Sequence, residues 1–493
     1  MKKKHLFSYS KICTLALLGA SALFLTSCAE DGYDGDERFD AGVYNTQLEA
    51  VKADGITITP SADGKSQTFT WPVVLGAGGY RVSLIDVDNP ETPIINDSIV
   101  DGCSITGKRD EEVYYKLSIL ALGDAQRGNS DATATADTTY NTFMKPHATI
   151  PDGSDLFQYF SDNSLPESEE DILYYLEPNG TYSLSDVVDF SNKKVILRTA
   201  SKTENATIVY GENGSLEYCG KFTLKNIDFD CKLSTKPVIA FSATPAEGIL
   251  DASNNNHNQI VDATTIMDCN FTGVTGMFLY DNKVKYCLKT FVMDNCTLHL
   301  ESVNMSNNSL IYIYDGGGFI NDFTITNSTV WNTGESDQKY FLRYNNSGRC
   351  DRAGYTTNSI NFLNNTFYNI CKSGQMCNHG GFDGRATSNY DVENNIFVNC
   401  GSKQVPRRII GRRASGADIK FAHNTYCTYD ETGAATFELE GAPDTVEGAK
   451  MEYDDSKTAL QTDPAFVNAE EGNFTPQGAD QLLHLTGDPR WLP

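Results

Sequence analysis

Between residues 45 and 140 the chain alternates apolar and polar positions in short runs broken by turn residues. Gly55-Ile-Thr-Ile58, Gln67-Thr-Phe-Thr-Trp71, Gly79-Tyr-Arg-Val-Ser-Leu-Ile85 and Val113-Tyr-Tyr-Lys-Leu-Ser-Ile-Leu120 all have period two. Strands with one buried face produce that pattern, and their spacing predicts a β-sandwich over 45–140. Residues 141–165 lose the alternation. They hold one helix candidate, Ser154–Phe160, with Ser154 as N-cap and an apolar face suited to plugging the open end of the next domain.

From 166 to 493 a longer regularity takes over. A short motif recurs as Asn226-Ile-Asp-Phe229, Asp268-Cys-Asn-Phe271, Asn295-Cys-Thr-Leu298, Asn327-Ser-Thr-Val330, Asn364-Asn-Thr-Phe367, Asn394-Asn-Ile-Phe397 and His423-Asn-Thr-Tyr426. Its last residues lie 42, 27, 32, 37, 30 and 29 apart. A strand that returns about every 30 residues, with loops of variable length, predicts a parallel β-helix whose coils stack equivalent positions. The second motif position reads Ile, Cys, Cys, Ser, Asn, Asn, Asn, as an inward ladder at a turn would. Residues 251–430 contain 26 Asn and one Pro, which suits paired strands joined by tight turns. Regular leucine-rich or propeller repeats do not fit.

A second strand recurs between these motifs: Gly276–Asp281, Ile311–Asp315, Tyr340–Tyr344, Gln375–His379 and Arg408–Arg413. Equivalent positions step by 34, 29, 35 and 34 residues and define two adjacent columns. One is Tyr280, Tyr314, Arg343, Asn378, Arg412; the other is Asp281, Asp315, Tyr344, His379, Arg413. Because strand residues alternate in and out, at most one column faces solvent within the strand.

Charge changes the picture in one place. The formal charge is −26, and removal of residues 1–27, with four lysines and no acid, makes it −30. That excludes nucleic acid as a partner in the absence of a basic face. Yet residues 339–420 hold twelve Lys/Arg and five acids, a local +7 on three successive coils. A polyanion would bind there. Tyr and Arg suit sugar faces and carboxylates respectively.

The N-terminus reads as an address. Four lysines precede the apolar stretch Thr14–Leu25, too short for a membrane span, and Leu25-Thr-Ser-Cys28 looks like a bacterial lipobox with Cys28 as the lipidated residue. The acidic tether at 28–44, beginning Ala29-Glu-Asp-Gly-Tyr-Asp, resembles the export tag of Bacteroidetes lipoproteins displayed on the outer membrane. Eleven cysteines remain after Cys28, an odd number, with no zinc-type spacing. Several fall at equivalent repeat positions and read as small buried residues.

Three further resemblances refine this outline. Trp71, Tyr80 and Tyr115, with Ala121-Leu-Gly123 and Asn129-Ser130, resemble a fibronectin type III module, which implies a spacer. Ile172-Leu-Tyr-Tyr-Leu-Glu-Pro-Asn-Gly-Thr-Tyr182 followed by Lys194-Val-Ile-Leu-Arg198 resembles the opening coil of pectate-lyase-like right-handed β-helices. The tail, from Asp463-Pro-Ala-Phe466 to Gly487-Asp-Pro-Arg-Trp491, resembles the closing segment of Bacteroidetes β-helix lipoproteins carrying DUF4957 and DUF5123. That resemblance implies an acidic, pectin-like polysaccharide as partner and outer-membrane glycan-importer components nearby. It assigns no reaction.

Three functions remain open: glycan binding, cleavage of pectin-type chains by a lyase or hydrolase, and a structural or adhesive role. The binding candidates are Tyr280, Tyr314, Arg343, Tyr344, Arg408, Arg412 and Arg413. Lyase chemistry needs carboxylate neutralisation, a base and enolate stabilisation. Asp281 and Asp315 are the candidate Ca²⁺ pair, and Arg343, His379 and Arg412 the candidate catalytic groups. The Arg-x-Pro-x-x-Arg signature of pectate lyases is absent, as are the polygalacturonase motifs.

Overall fold

In a computed structural model the described residues are 42–61, 65–87, 89–305, 307–344, 355, 357–379, 386–411, 416–437 and 453–493. The chain divides into two compact units, one ending at Met144 and the other spanning Lys145–Pro493. In the first, strands Thr57–Pro60, Ser66–Thr70 and Ser104–Lys108 form one antiparallel sheet. Ile95–Val100, Ala77–Asp86, Tyr114–Gly123 and Ala136–Asn141 form the other, in that order. Alternate residues turn inward, so Phe69, Tyr80, Val82, Tyr115, Leu117 and Ile119 share one core with Trp71. Trp71 and Tyr80 meet edge-to-face at 5.4 Å.

The second unit is a parallel β-helix. Most coils give one strand to each of three sheets, of eleven, ten and seven strands among the described residues. One coil contains Tyr286–Asp294, Thr297–Leu300 and Ser309–Ile313; the next contains Phe319–Thr326, Thr329–Asn332 and Tyr340–Tyr344. The recurring motif opens the strands of the ten-stranded sheet. Its terminal apolar residues, Phe229, Phe271, Leu298, Val330, Phe367, Phe397 and Tyr426, are register partners coil after coil. Phe229 stacks on Phe271 at 4.4 Å, and Phe367 on Phe397 at 5.1 Å, filling the lumen.

The motif's first residue makes the corner. Asn226, Asp268, Asn295, Asn327, Asn364, Asn394 and His423 all sit at φ between 49° and 56°. Asn and Asp tolerate this left-handed conformation better than other non-glycine residues do. The second residue turns inward and satisfies a backbone N–H of the preceding coil. The N–H of Cys296 donates to Ser328 Oγ, that of Ser328 to Asn365 Oδ1, that of Asn365 to Asn395 Oδ1, and that of Asn395 to Asn424 Oδ1, each at 3.0 Å. No disulfide forms among the described residues, and every described cysteine except Cys103 is buried.

Three segments cover the helix differently from expectation. The N-terminal helix spans Leu156–Asp162 and is capped by Asp155, which accepts from the N–H of Gln158, not by Ser154, whose hydroxyl donates to the Pro151 carbonyl. Its Phe160 ring lies against Tyr174 and Phe190 of the first coil. The strand expected at 408–413 is not formed over its described residues, 408–411. Val405–Ile410 is a helix with Pro406 in its first turn, packed on strand Gln375–Asn378. Proline removes a ladder donor but fits a helix start.

The C-terminal segment lies along the outward face of the ten-stranded sheet. Thr329 donates to Asp488 Oδ2 at 2.6 Å, the Asp488 N–H donates to Thr366 Oγ1, and Gln481 Nε2 donates to Thr425 Oγ1. Trp491 Nε1 donates to Thr329, and Phe474 packs on Trp331, Tyr368 and Trp491.

Candidate functional site

The seven-stranded sheet presents an outward column that runs through every strand. Asp189 pairs in register with Glu217, Glu217 with Ala240, Ala240 with Tyr280, Tyr280 with Tyr312, Tyr312 with Arg343, and Arg343 with Asn378. In Ser309–Ile313 and Tyr340–Tyr344 the column residue is the one position that is not buried.

Arg343 stands near one end of this column. Its guanidinium lies 3.8 Å from the ring centroid of Tyr314, 4.8 Å from Tyr340 and 5.6 Å from Tyr312. It makes no hydrogen bond or ion pair among the described residues. Cation–π contacts hold the guanidinium in place, each contributing about 0.5–1 kcal/mol at an exposed site. Tyr312 stacks nearly parallel to Tyr314 at 6.1 Å and lies 6.0 Å from Tyr280. The hydroxyls of Tyr280 and Tyr312 donate to the two oxygens of Asp315, at 2.9 and 3.0 Å. Burial and the bond to Asp315 push Tyr312 up to about 12 and raise Tyr280 further, so both hydroxyls remain donors.

At the other end of the column the groups are acidic. Glu217 accepts from Asn282 Nδ2 at 2.8 Å and from the Ala243 N–H at 3.2 Å; burial raises its pKa. Asp189 is exposed, and its Oδ1 accepts from the Ser191 N–H and the Ser242 hydroxyl. Beside Tyr340, Lys339 overhangs a cleft of about 540 Å³ lined also by Asn304, Asp337 and Ser373.

The structure sorts the sequence candidates. Tyr280 and Arg343 share the outward column. Tyr314 belongs to the same face but not to that column; its place is taken by Tyr312, two residues earlier. Tyr344 and His379 are buried and cannot meet a ligand at the surface. His379 Nε2 lies 2.7 Å from the Ile409 carbonyl and its ring packs near Tyr390, which anchors it in the interior. Asp281 is also buried. Its oxygens accept from the N–H groups of Lys283 and Gly316, and burial raises its pKa to about 6.

Asp281 and Asp315 therefore do not form the expected calcium pair, and among the described residues no three acidic, His or Cys side chains could hold a metal. Arg408 lies on the helix Val405–Ile410 rather than on a strand. Cys28, Arg412 and Arg413 lie outside the described residues. Tyr312, Tyr340, Glu217 and Asp189 escape a reading by spacing alone. The alternation Tyr312-Ile-Tyr314 is the available signal for the first.

Family models account for most of the chain. Residues 1–184 match DUF4992, 180–333 match DUF4957 and 360–491 match DUF5123, each described as a domain of unknown function. No curated protein matches the chain. Among solved structures, the pectate lyase PelI from Erwinia chrysanthemi in complex with tetragalacturonic acid is similar at 9% identity and a TM-score of 0.16, over 80% of this chain and 95% of that one. A family 28 exopolygalacturonase from Yersinia enterocolitica is similar at 10% identity and a TM-score of 0.17, over 76% and 98%. At these TM-scores neither likeness bears on function, and the β-helix rests on the strand register itself.

Proposed function

We propose that this chain is an outer-membrane lipoprotein that binds an acidic, pectin-like polysaccharide on the outward face of its seven-stranded sheet. Arg343 carries the reading: a guanidinium without a carboxylate partner among the described residues, positioned by Tyr312, Tyr314 and Tyr340. A uronate carboxylate completes such a cation, and tyrosine rings offer apolar faces to sugar rings. Two observations support binding over cleavage: His379, one of the three catalytic candidates, and Asp281, half of the candidate Ca²⁺ pair, are both committed to the interior. In this reading Cys28 bears the lipid, residues 28–44 direct surface display, and residues 45–140 form a fibronectin type III-like spacer ahead of a right-handed β-helix. No helix among the described residues is long and apolar enough to cross a membrane, so the lipid is the anchor this reading invokes.

Affinity electrophoresis through gels containing acidic and neutral plant polysaccharides tests the binding. Retardation by uronate-containing polymers, without unsaturated products or new reducing ends, is expected. Product release would replace the binder with an enzyme, and migration unchanged in every gel would leave only a structural role. For the anchor, Cys28→Ala should move the protein from the membrane fraction to the soluble one.

A further inference from the structure

The outward column is graded in charge, and the gradient bears on which acidic polysaccharide fits. Arg343 stands near one end; Glu217 and Asp189 stand four and five strands away along the same column. At the ~4.8 Å spacing of neighbouring strands, Arg343 and Glu217 are roughly 19 Å apart along the sheet. Between them lie Tyr312 and Tyr280, whose hydroxyls are fixed on Asp315, and then Ala240, which is fully buried. Lys236 is the cation that acts on Glu217, and Lys339 adds positive charge beside Arg343. One end therefore attracts a carboxylate, the middle offers rings, and the far end offers acceptors. Asp189 Oδ2 has no partner among the described residues and points to a sugar hydroxyl as a donor it can take.

Resting on the binding reading above, we infer that this face selects a polysaccharide in which a uronate is followed by uncharged sugars, rather than a continuous polyuronate. A uronate meets Arg343, neutral rings cover Tyr312 and Tyr280, and hydroxyl groups donate to Glu217 and Asp189. A homopolymer of uronates laid along the same column brings its next carboxylates towards Asp315, Glu217 and Asp189, where like charges oppose it.

The test compares three polymers on the intact protein by titration calorimetry at fixed ionic strength: polygalacturonate, a polymer alternating single galacturonates with runs of neutral sugars long enough to reach Asp189, and a neutral galactan. The alternating polymer should bind at least tenfold more tightly than polygalacturonate. Asp189→Asn, at an exposed site whose Oδ1 bonds an asparagine retains, should narrow that ratio by strengthening polygalacturonate binding severalfold; adding Glu217→Gln should narrow it further. Arg343→Ala should weaken the alternating polymer at least tenfold. Equal or tighter binding of polygalacturonate, or a ratio unmoved by Asp189→Asn, overturns the selectivity while leaving acidic-polysaccharide binding intact. Galactan bound as tightly as the alternating polymer also overturns it. No binding of any of the three overturns the underlying function.

Discussion

Two outward faces of the same β-helix have been treated in opposite ways. The ten-stranded sheet exposes threonines and aromatics that its own C-terminal segment then covers, with Asp488, Gln481 and Trp491 bonded to Thr329, Thr366 and Thr425, and Phe474 set between Trp331 and Tyr368. The seven-stranded sheet also exposes aromatics, but among the described residues nothing comparable lies over Tyr280, Tyr312 and Tyr314. Among the described residues its Arg343 guanidinium meets tyrosine rings and no carboxylate. Among the described residues, then, one face is sealed by the chain itself while the other keeps tyrosines and an arginine with no ionic partner, and the proposed binding rests on that contrast.

Mutations should separate the two faces. Phe474 is fully buried, so Phe474→Ala should lower stability by about 3–5 kcal/mol in urea unfolding while leaving polysaccharide retardation of the folded protein unchanged. Arg343→Ala should do the reverse. Stability should fall by no more than the ring contacts are worth, about 1.5–3 kcal/mol in all, and affinity for a uronate-containing polymer should fall at least about tenfold, or ~1.4 kcal/mol. A large stability loss on that substitution would make the arginine a packing residue and collapse the contrast.

The edge of the open face should also respond to pH. Asp281 has its pKa raised from 3.8 to about 6, so between those values the folded chain binds more protons than the unfolded one. Stability should therefore rise as pH falls from 7 to 5, by about 1 kcal/mol from this group. Asp281→Asn should flatten that part of the profile. The smallest expected effect is Tyr280→Phe, which removes one hydroxyl bond to Asp315 and should weaken binding only a few-fold, at about 0.5–1 kcal/mol.

The helix was legible because few residues meet its corner conditions. A left-handed residue followed by an inward hydrogen-bonding one restricts the sequence to Asn, Asp, Ser and their stand-ins, so Asn364-Asn365 and Asn394-Asn395 mark coils on sight. The face was harder to read. Tyr314 and Tyr312 differ by two residues, which preserves side and shifts only register, so spacing alone chose the wrong tyrosine. Tyr344 and His379 come directly after outward Arg343 and Asn378 and must point inward by simple alternation. Arg408 kept its spacing, but with Pro406 in the first turn its segment Val405–Ile410 is a helix and not a strand. Of the basic window, Lys420 lies on the eleven-stranded sheet and Lys339 and Arg343 flank the tyrosines, while Arg349, Arg352, Arg385, Arg412 and Arg413 lie outside the described residues.

The corner ladder gives the molecule a direction of growth. Each backbone amide from Cys296 to Asn395 finds its acceptor on the coil that comes later in the chain. As the polypeptide emerges from its N-terminal side, the newest coil always holds a donor awaiting the next turn. Adding or deleting one whole coil leaves every other rung matched, whereas removing half a coil orphans a buried amide. The fold can therefore change length between relatives in steps of one coil, carrying its outward faces along unaltered.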